Sequence, residues 1–324
     1  MKLLVTGGAG FIGSNFIRYW FEAHPADTII NLDALTYAGH HTTIAEFDNK
    51  PNYRFVHGSI NDEALVQDLV SNSDVVVHFA AETHVDRSIH SSLDFIHSNI
   101  QGTAVLLEAV RKARPHPRFH HISTDEVFGS LDINDPKFNE ETPYNPRSPY
   151  SASKAASDHL VRAYFHTFGL PITISNCSNN YGPYQLPEKL IPLFITNLLS
   201  NKKVPLYGEG NNIRDWVYVL DHIKGIELVL EKGVIGKTYC FGGGNEITNQ
   251  EITMKLLDSL QLPETMVERV ADRLGHDFRY AVDYSFAQKT LGWSPTTDFD
   301  AGLKETIEWY QDNQAWWKPL IQNR

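Results

Sequence analysis

The sequence predicts an α/β protein with a doubly wound, mostly parallel sheet and a smaller, discontinuous C-terminal lobe. Two observations predict this fold class. Short apolar, β-branched runs alternate with longer helical patterns through the first half of the chain, as in right-handed βαβ units. After Cys177 the alternation gives way to loops rich in Pro, Gly and Asn, which carry binding more often than packing.

Six strands and four helices are predicted in the first half of the chain. The predicted strands are Leu3–Thr6, Thr28–Leu32, Tyr53–Val56, Asp74–Phe79, Phe119–Ser123 and Ile172–Ser175. The predicted helices are Phe11–Phe21, Glu63–Val70, Ser92–Lys112 and Ser151–Phe168. Further along, the strand pattern 216–220 and the helix 221–231 are expected to rejoin the main sheet. The first domain would then comprise 1–175 with 213–235, and the second lobe 176–212 with 236–324.

Composition excludes several classes of function. A net charge of −11 argues against a nucleic-acid partner, because phosphate binding requires a basic face. No apolar run approaches the ~20 residues of a membrane span, and no signal-peptide core follows Met1, so we expect a cytoplasmic protein that binds no membrane. Cys177 and Cys240 match no metal-binding spacing and are expected to be reduced and buried. No metal site is predicted, since the paired histidines His40–His41 and His120–His121 point apart on a strand.

A glycine-rich segment follows the first predicted strand and opens the first helix. Gly7, Gly10 and Gly13 permit a tight turn and a close approach of the backbone to a pyrophosphate at the helix N-terminus. Asp33 ends the next strand, where a carboxylate accepts the ribose hydroxyls and repels a 2′-phosphate. The sequence therefore predicts a Rossmann domain that binds NAD rather than NADP.

A second group of residues predicts chemistry on a hydroxyl. Tyr150 and Lys154 open a long helix and share one of its faces. A nearby ammonium favours the phenolate and lowers the pKa of the tyrosine, which gives a base for a hydroxyl whose carbon loses a hydride to NAD. Thr124 lies at a strand end between this pair and the glycine turn. Asp125 and Glu126 follow it, and adjacent carboxylates at a strand end either stabilise a turn or perform catalysis.

The chain resembles the extended short-chain dehydrogenase/reductases and, among them, the dTDP-glucose 4,6-dehydratase family. The segments that carry the resemblance are 7–13, 32–39, 78–88, 123–129, 149–154, 176–192, 212–218 and 272–280. They extend almost from end to end of the chain, and several are long and unusual in composition. The resemblance implies a hydro-lyase that converts dTDP-glucose into dTDP-4-keto-6-deoxyglucose and water and regenerates NAD within each turnover.

The resemblance also implies a role for each catalytic residue. Tyr150 takes the proton of the sugar 4-hydroxyl while C4 passes a hydride to NAD, and Lys154 tunes the phenol. Glu126 removes the C5 proton, Asp125 protonates the departing 6-hydroxyl, and Thr124 orients the sugar near O4. Adjacent carboxylates suit this division, because a neighbouring charge and a dry pocket raise one pKa above the other.

Two larger sets of contacts follow from the resemblance. The residues expected to hold NAD are Gly7, Gly10, Phe11, Ile12, Gly13, Asp33, Ala34, Leu35, Thr36, Ser59, Ile60, Ala80, Ala81, Thr83, Asn99, Tyr150, Lys154 and Asn180. The residues expected to hold the nucleotide sugar are Thr83, Thr124, Asn179, Glu188, Lys189, Leu190, Pro205, Tyr207, Arg214, Asn249, Arg273, His276 and Tyr280. Arg214 and Arg273 are natural partners for its diphosphate.

The resemblance implies a homodimer in which the helices Ser92–Lys112 and Ser151–Phe168 of two subunits form a four-helix bundle. Three alternatives remain: a UDP-glucose 4,6-dehydratase, a nucleotide-sugar 4-epimerase and an inactive NAD-binding regulator. The pair Asp125 and Glu126 argues against an epimerase, which needs only the tyrosine and the lysine, and the intact catalytic set argues against a regulator. Thymine and uracil differ by one methyl group, worth only ~1 kcal/mol, so the base preference stays open.

Overall fold

The structure is a computed structural model that describes residues 1–272 and 275–322. A seven-stranded parallel sheet forms its centre. The strands of the described chain are β1 (Lys2–Thr6), β2 (Thr28–Asp33), β3 (Tyr53–His57), β4 (Val75–His78), β5 (Arg118–Thr124), β6 (Ile172–Cys177), β7 (Asn179–Tyr181), β8 (Val204–Tyr207), β9 (Ile213–Tyr218), β10 (Thr238–Phe241), β11 (Glu246–Thr248) and β12 (Val267–Val270). The central sheet has the order β10-β6-β5-β4-β1-β2-β3, and all its pairings are parallel. The predicted fold class is confirmed, and the six predicted strands end within two residues of the observed bounds.

Helices cover both faces of the central sheet. The helices of the described chain are α1 (Phe11–Ala23), α2 (Glu63–Ser71), α3 (Val85–His90), α4 (Ser92–Phe95), α5 (Gly102–Lys112), α6 (Pro149–Phe168), α7 (Leu190–Leu199), α8 (Val219–Lys232), α9 (Asn249–Ser259), α10 (Ser285–Leu291), α11 (Phe299–Asp312) and α12 (Gln314–Gln322). Those on the central sheet are mainly α1, α2, α5, α6 and α8. A π-helical segment, Ile96–Gln101, joins α4 to α5, so the predicted helix over 92–112 is continuous but wider in its middle. In the parts of the chain that the structure describes, none of the helices combines the length and apolar character that crossing a membrane requires.

Alternation along the strands divides the core between the two faces. Leu4 of β1 packs with the helices α2, α5 and α6, whereas its neighbours Leu3 and Val5 pack against α1 and α8. This is the two-residue period of a strand that is buried on both faces. Burial of each such side chain stabilises the fold by about 1.5–3 kcal/mol. Packing on both faces holds the sheet in place, so the ends of its strands can carry polar residues.

The later part of the chain differs from the prediction in its strand pairing. The strand predicted at 216–220 does not rejoin the central sheet, because β9 pairs with β7 and β11 in a separate three-stranded sheet. Only the helix that follows it, α8, packs on the central sheet. The seventh central strand is instead β10, which pairs with β6 and lies within the segment 236–324 that was predicted for the second lobe. Strands β8 and β12 form a further two-stranded sheet.

Candidate active site

A cavity of about 480 Å³ lies where the strands of the central sheet end. Its walls come from the turn after β1, the ends of β2, β5 and β6, and the loops after β3 and β4. The sheet order reverses between β1 and β4, and the crevice outside such a reversal is the usual ligand site of an open α/β sheet. The fold therefore places one large cavity beside the glycine-rich turn.

The glycine turn has no room for side chains. Gly7 has a φ of +76°, and a Cβ added there would lie 2.6 Å from the backbone nitrogen of Ala80. A Cβ added at Gly13 would lie 2.4 Å from the carbonyl oxygen of Gly7. Helix α1 then begins at Phe11 with no side-chain cap and no acidic residue in its first turn. The first N–H groups of a helix lack intrahelical partners, so this turn fits the pyrophosphate of a dinucleotide.

Asp33 is fixed beside this turn. Its Oδ2 accepts a hydrogen bond from the backbone of Ala9 at 2.9 Å, and its Oδ1 accepts one from the backbone of Leu35 at 2.8 Å. Burial raises the pKa of Asp33, and these two hydrogen bonds oppose the rise. The carboxylate lines the cavity, where it fits the ribose hydroxyls of NAD.

Most of the residues predicted to hold NAD come together in the lining of the cavity. They are Gly7, Gly10, Phe11, Ile12, Gly13, Asp33, Ala34, Thr36, Ser59, Ile60, Ala80, Ala81, Thr83, Tyr150, Lys154 and Asn180. Leu35 and Asn99 do not line it. Asn99 instead accepts a hydrogen bond from the backbone N–H of Glu82 at 2.8 Å and donates to the Glu82 carbonyl and to Ser153, at 3.0 and 2.8 Å. It therefore holds the loop after β4, which does line the cavity.

Tyr150 and Lys154 lie in the first two turns of α6. Ser148 caps this helix through reciprocal hydrogen bonds with Ser151, and Pro149 occupies its first position. Both predicted catalytic side chains line the cavity. The ammonium of Lys154 donates a hydrogen bond to the carbonyl oxygen of Ile122 at 2.8 Å. Burial lowers the pKa of Lys154 to about 8.

The electrostatic environment of Tyr150 differs from the prediction. Burial raises the pKa of this phenol well above its ordinary value, and the negative charge of Glu126 raises it further. The hydroxyl of Thr124 opposes these effects without overcoming them. The predicted lowering of the Tyr150 pKa is therefore wrong, because burial and a nearby carboxylate outweigh the favourable charge that the helical spacing suggested.

The two adjacent carboxylates lie in different environments. Thr124 ends β5 and caps the 3₁₀ turn that follows, since its Oγ1 accepts a hydrogen bond from the backbone of Glu126 at 3.2 Å. Asp125 is only 2% exposed, and burial, followed by the charges of Glu126 and Asp215, raises its pKa well above the usual value. Glu126 is half-buried and lines the cavity. A carboxyl group that tends to stay protonated thus lies next to a carboxylate that reaches the cavity.

The residues predicted to hold the sugar nucleotide divide into two groups. Thr83, Thr124, Asn179, Glu188 and Lys189 line the cavity, and Lys189 donates a hydrogen bond to the Thr83 carbonyl at 2.8 Å. The predicted residues that do not line it are Leu190, Pro205, Tyr207, Arg214, Asn249, His276 and Tyr280. Arg273 lies outside the described residues.

Arg214 and Tyr280 nevertheless interact with the two carboxyl groups that are predicted to be catalytic. The guanidinium of Arg214 stacks 4.2 Å above the ring of Tyr280, whose hydroxyl donates to Asp277 at 2.6 Å. The charge of Arg214 opposes the rise of the Asp125 pKa, and the charge of Glu126 is second only to burial in raising the pKa of Tyr280. The structure therefore places this pair near the end of β5.

Several cavity residues were not predicted. Some lie in the segments 78–88, 123–129 and 176–192, where neighbouring residues were predicted to line the site and could have indicated them. Others lie on α4 and the π-helical segment, where no local pattern marks them. The missed lining residues include Glu82, Asp94, His97, Ser98, Ser123, Cys177, Ser178, Gln185 and Leu186. The two cysteines are free and buried, as predicted.

One group of possible metal ligands occurs in the described parts of the chain. His24, Glu227 and Glu231 bring ligand atoms within 4.8 Å of one another, on α8 and at the end of α1. His24 and Glu227 already pair with each other at 2.6 Å. None of the three lines the cavity, so the group lies apart from the predicted catalytic residues.

Comparisons with known proteins agree with this geometry. The family described as GDP-mannose 4,6 dehydratase matches residues 4–306. A dTDP-glucose 4,6-dehydratase from Mycolicibacterium smegmatis is 51% identical over 322 residues, which cover 99% of this chain and 96% of that protein. The crystal structure of the dTDP-glucose 4,6-dehydratase DesIV from Streptomyces venezuelae, with NAD and dTDP bound, is 51% identical. It has a TM-score of 0.96 and covers 99% of this chain and 100% of its own.

A more distant structure shows how far the fold extends beyond these dehydratases. The UDP-glucose 4-epimerase of Thermotoga maritima is 28% identical, has a TM-score of 0.89 and covers 97% of this chain and 100% of its own. The epimerase therefore shares the fold at much lower identity than the dehydratases. From the matched residues and the identity over nearly its whole length, the chain belongs to the dTDP-glucose 4,6-dehydratase family.

Proposed function

We propose that this protein is a dTDP-glucose 4,6-dehydratase. It converts dTDP-D-glucose into dTDP-4-keto-6-deoxy-D-glucose and water, and it restores NAD within each turnover. The observation that carries the proposal is the pair at the end of β5, in which the buried carboxyl of Asp125 tends to stay protonated beside the cavity-lining Glu126. Identity of 51% to dTDP-glucose 4,6-dehydratases over 99% of the chain supports the same substrate.

The cavity fits NAD as the cofactor. The glycine turn leaves space for a pyrophosphate, and Asp33 offers a carboxylate to the ribose while disfavouring the 2′-phosphate of NADP. The DesIV structure was solved with NAD bound, which supports the same choice here. Bound NAD supplies a hydride acceptor that later returns the hydride. Tyr150 and Lys154 line the same cavity and are proposed to contact both cofactor and sugar.

Tyr150 acts as the base for the sugar 4-hydroxyl in this proposal. Its raised pKa means that the phenol is neutral at pH 7, so proton removal depends on positive charge nearby. Lys154 supplies such a charge from the next turn of α6. The hydroxyl of Thr124 lowers the cost of forming the phenolate by hydrogen bonding. We therefore propose that the charge on Lys154 controls the oxidation step.

Asp125 and Glu126 then divide the elimination between them. Glu126 takes the C5 proton, which the neighbouring 4-ketone has made acidic. Asp125, which is buried next to Glu126 and does not itself line the cavity, protonates the departing 6-hydroxyl in this proposal, since burial raises its pKa and so favours its protonated form. Positioned general acids and bases of this kind each accelerate a reaction by about 10²–10⁴-fold.

The proposal is tested with purified protein and dTDP-glucose in deuterium oxide, with no added cofactor. We expect loss of water and incorporation of one deuterium at C5. Mass spectrometry and proton NMR of the sugar nucleotide measure both changes. A product that is merely epimerised at C4 would contradict the proposal and favour an epimerase. If the protein dehydrates UDP-glucose but not dTDP-glucose, the proposed reaction stands and the proposed substrate is wrong.

We also propose that the protein is a cytoplasmic homodimer. Large apolar side chains lie exposed on the helices predicted to pair, with Leu93 75% exposed and Ile96 48% exposed. Ile89 on α3 and Phe168 at the end of α6 are also exposed. Several large exposed apolar side chains on helices predicted to pair support a subunit interface there. Light scattering should give twice the mass of the chain, and Leu93→Asp should halve it; a monomeric native protein would contradict the proposal.

A further inference from the structure

A buried hydrogen bond links helix α8 to the cavity. His222 lies near the start of α8 and has no exposed surface. Its Nδ1 lies 3.0 Å from Oδ1 of Asn180, a residue of β7 that lines the cavity. The other ring nitrogen, Nε2, is buried and has no hydrogen-bond partner among the described residues. His222 does not itself line the cavity, so any effect it has on a ligand passes through its neighbours.

The direction of this hydrogen bond follows from the other contacts of Asn180. Its Nδ2 lies 3.0 Å from the carbonyl oxygen of Ser178, and a carbonyl oxygen can only accept. The amide nitrogen therefore faces Ser178 and the amide oxygen faces His222, which must donate through Nδ1. Burial lowers the pKa of His222 to about 3, so the ring is neutral at pH 7 and its single proton is on Nδ1. Asn180 is thus held in one of its two amide orientations.

His222 is itself held from outside the cavity. The preceding residue, Asp221, accepts a hydrogen bond from the hydroxyl of Thr296 at 2.7 Å. The indole of Trp293 donates to the carbonyl of Asp221 at 2.8 Å. The ring of His222 packs against the ring of Phe241 on β10, with 5.7 Å between the two centroids. These contacts fix the position from which His222 donates to the amide.

Asn180 lies at the end of the cavity that holds the predicted catalytic residues. Strand β6 ends at Cys177, which pairs in register with Thr124 at the end of β5. Asn180 follows three residues after Cys177, and its side chain hydrogen-bonds with that thiol. The amide of Gln185 donates to the backbone carbonyl of Asn180 at 2.9 Å, which holds its main chain as well. Hydride transfer is proposed to take place beside Thr124 and Tyr150, so the nicotinamide ring belongs at this end.

We propose that His222 is a positioning residue that acts through Asn180 on the nicotinamide half of NAD. By donating to the amide oxygen, His222 keeps the amide from rotating, and the cofactor meets a fixed arrangement of donor and acceptor. Without this donor the amide can rotate, and part of the binding free energy is lost in ordering it. The adenosine half, which Asp33 and the glycine turn are proposed to hold, is not affected. The inference rests on the proposed function, because it requires NAD in the cavity.

The experiment compares the binding of NAD with that of ADP-ribose, which has the same adenosine and diphosphate but lacks the nicotinamide. Equilibrium dialysis of the whole protein against each radiolabelled compound gives the two dissociation constants. In His222→Leu, the dissociation constant of NAD should rise by about tenfold, and that of ADP-ribose should stay within about twofold of native. An unchanged constant for NAD, or an equal rise for both compounds, would overturn the proposal.

His222→Asn is the matched control. In both side chains a nitrogen can lie one bond beyond Cγ, so Nδ2 of the asparagine takes the place of the ring Nδ1 and keeps a donor toward Asn180. Both variants remove the ring contact with Phe241 and should lower the melting temperature, whereas only His222→Leu should weaken NAD binding. Equal losses of NAD affinity would mean that packing rather than the hydrogen bond is responsible, and they would overturn the proposal. If His222→Leu does not fold, His222→Met is measured in its place, with the same expected and contradicting results.

A double variant tests whether His222 acts through Asn180. Asn180→Ala should itself weaken NAD binding, and adding His222→Leu to it should cause no further loss of affinity. Additive losses would show that His222 acts by another route and would overturn the proposal.

Turnover separates this proposal from the proposed function. If the native protein binds NAD but does not dehydrate dTDP-glucose, the proposed function is wrong, and the dialysis results still decide the role of His222. If the native protein does not bind NAD, both proposals are wrong.

Discussion

The cofactor side of the cavity is built from turns along one edge of a single sheet, whereas the substrate side is assembled from separate segments. The glycine turn, Asp33 and the loops after β3 and β4 all follow strands of the central sheet. On the substrate side, Arg214 lies on β9, and Tyr280 lies in the segment 275–283, which belongs to no strand and forms isolated β-bridges with other parts of the chain. Parallel strands in register bring their ends together without further contacts, but separate segments need tethers.

Both apolar packing and hydrogen bonds tether the segment 275–283, since Tyr280, Ala281 and Val282 lie in one buried cluster with Phe128 and Phe138. The guanidinium of Arg279 donates to Glu246 at 2.7 Å and to the carbonyls of Asp132 and Asp135, at 3.1 and 2.9 Å. The hydroxyl of Ser130 accepts a hydrogen bond from the backbone of Phe278 at 2.9 Å. Strand pairing within one sheet therefore keeps the cofactor side in shape, whereas contacts between segments far apart in the chain keep the substrate side in shape. Changes to the two sides should therefore have separable effects.

The largest effect is expected where the two sides meet. Glu126→Gln should reduce dehydration by about 10²–10⁴-fold, since an amide cannot take the C5 proton. Binding of NAD and of dTDP-glucose should change little, because the side chain keeps its shape. Turnover by NMR and ligand binding by calorimetry measure the two effects. Glu141→Gln, at an exposed carboxylate, is the control; native turnover in Glu126→Gln would refute the assigned base.

The next effect tests the packing of the cofactor side. Gly13→Ala would place a Cβ 2.4 Å from a backbone oxygen, so we expect a loss of about 1–3 kcal/mol in the free energy of unfolding. At Gly10 an added Cβ would lie 3.3 Å from the carbonyl oxygen of Gly7, so Gly10→Ala should keep the native melting temperature and lose affinity for NAD. Thermal melting and NAD titration measure these results. Equal stability of the two variants would contradict the packing argument.

A smaller effect tests the tethers of the substrate side. Arg279→Ala removes the hydrogen bonds to Glu246, Asp132 and Asp135 and so loosens the segment that carries Tyr280. We expect the KM for dTDP-glucose to rise by about tenfold and NAD affinity to stay unchanged. Steady-state kinetics and NAD titration distinguish the two sides. Arg269→Ala, which removes an exposed arginine of β12 paired with Glu209, serves as the control. Loss of NAD affinity in Arg279→Ala would show that the two sides are not independent.

The smallest effect is a dependence of stability on pH that arises in and around the central sheet. Burial lowers the pKa of His121 to about 4 and that of His222 to about 3, and it also lowers those of His78 and His120. The unfolded chain takes up protons on these rings below about pH 6.5, where the folded protein does not. Each ring alone would make stability fall by about 1.4 kcal/mol per pH unit below pH 6.5. Asp125 and Asp215 offset part of this fall, because burial raises their pKa values and the folded protein takes up their protons first.

Urea unfolding at pH 7.5, 6.0 and 5.0 measures this dependence. His222→Gln should reduce the slope, because it removes one of the four titrating rings. A free energy of unfolding that is constant between pH 7.5 and 5.0 would contradict the argument from buried histidines.

The predictable part of the site is the part that is local in sequence. Gly7, Gly13 and Asp33 could be predicted because a strand, a tight turn and a helix follow one another directly, and their cavity positions agree with that order. Asn99 was predicted as an NAD contact, yet it lies behind the loop after β4. Asp158 on α6, a fully buried carboxylate that accepts hydrogen bonds from Ser123 and Tyr144, was not predicted at all, since a single acidic residue on a helix has no pattern until its neighbours across the sheet are known.

By itself, the sequence determined the fold class, the parallel strands of the first half and the turn that fits NAD, because these follow from periodicity and from glycine at adjacent positions. The tertiary structure alone decided the pairing of β10 with β6 and the departure of β9 into a second sheet. It also decided the burial that raises the pKa of Asp125 and Tyr150. Strand pairing and burial depend on groups far apart in the chain, and the pKa of an ionisable group follows from the solvent and charge that those groups remove or supply.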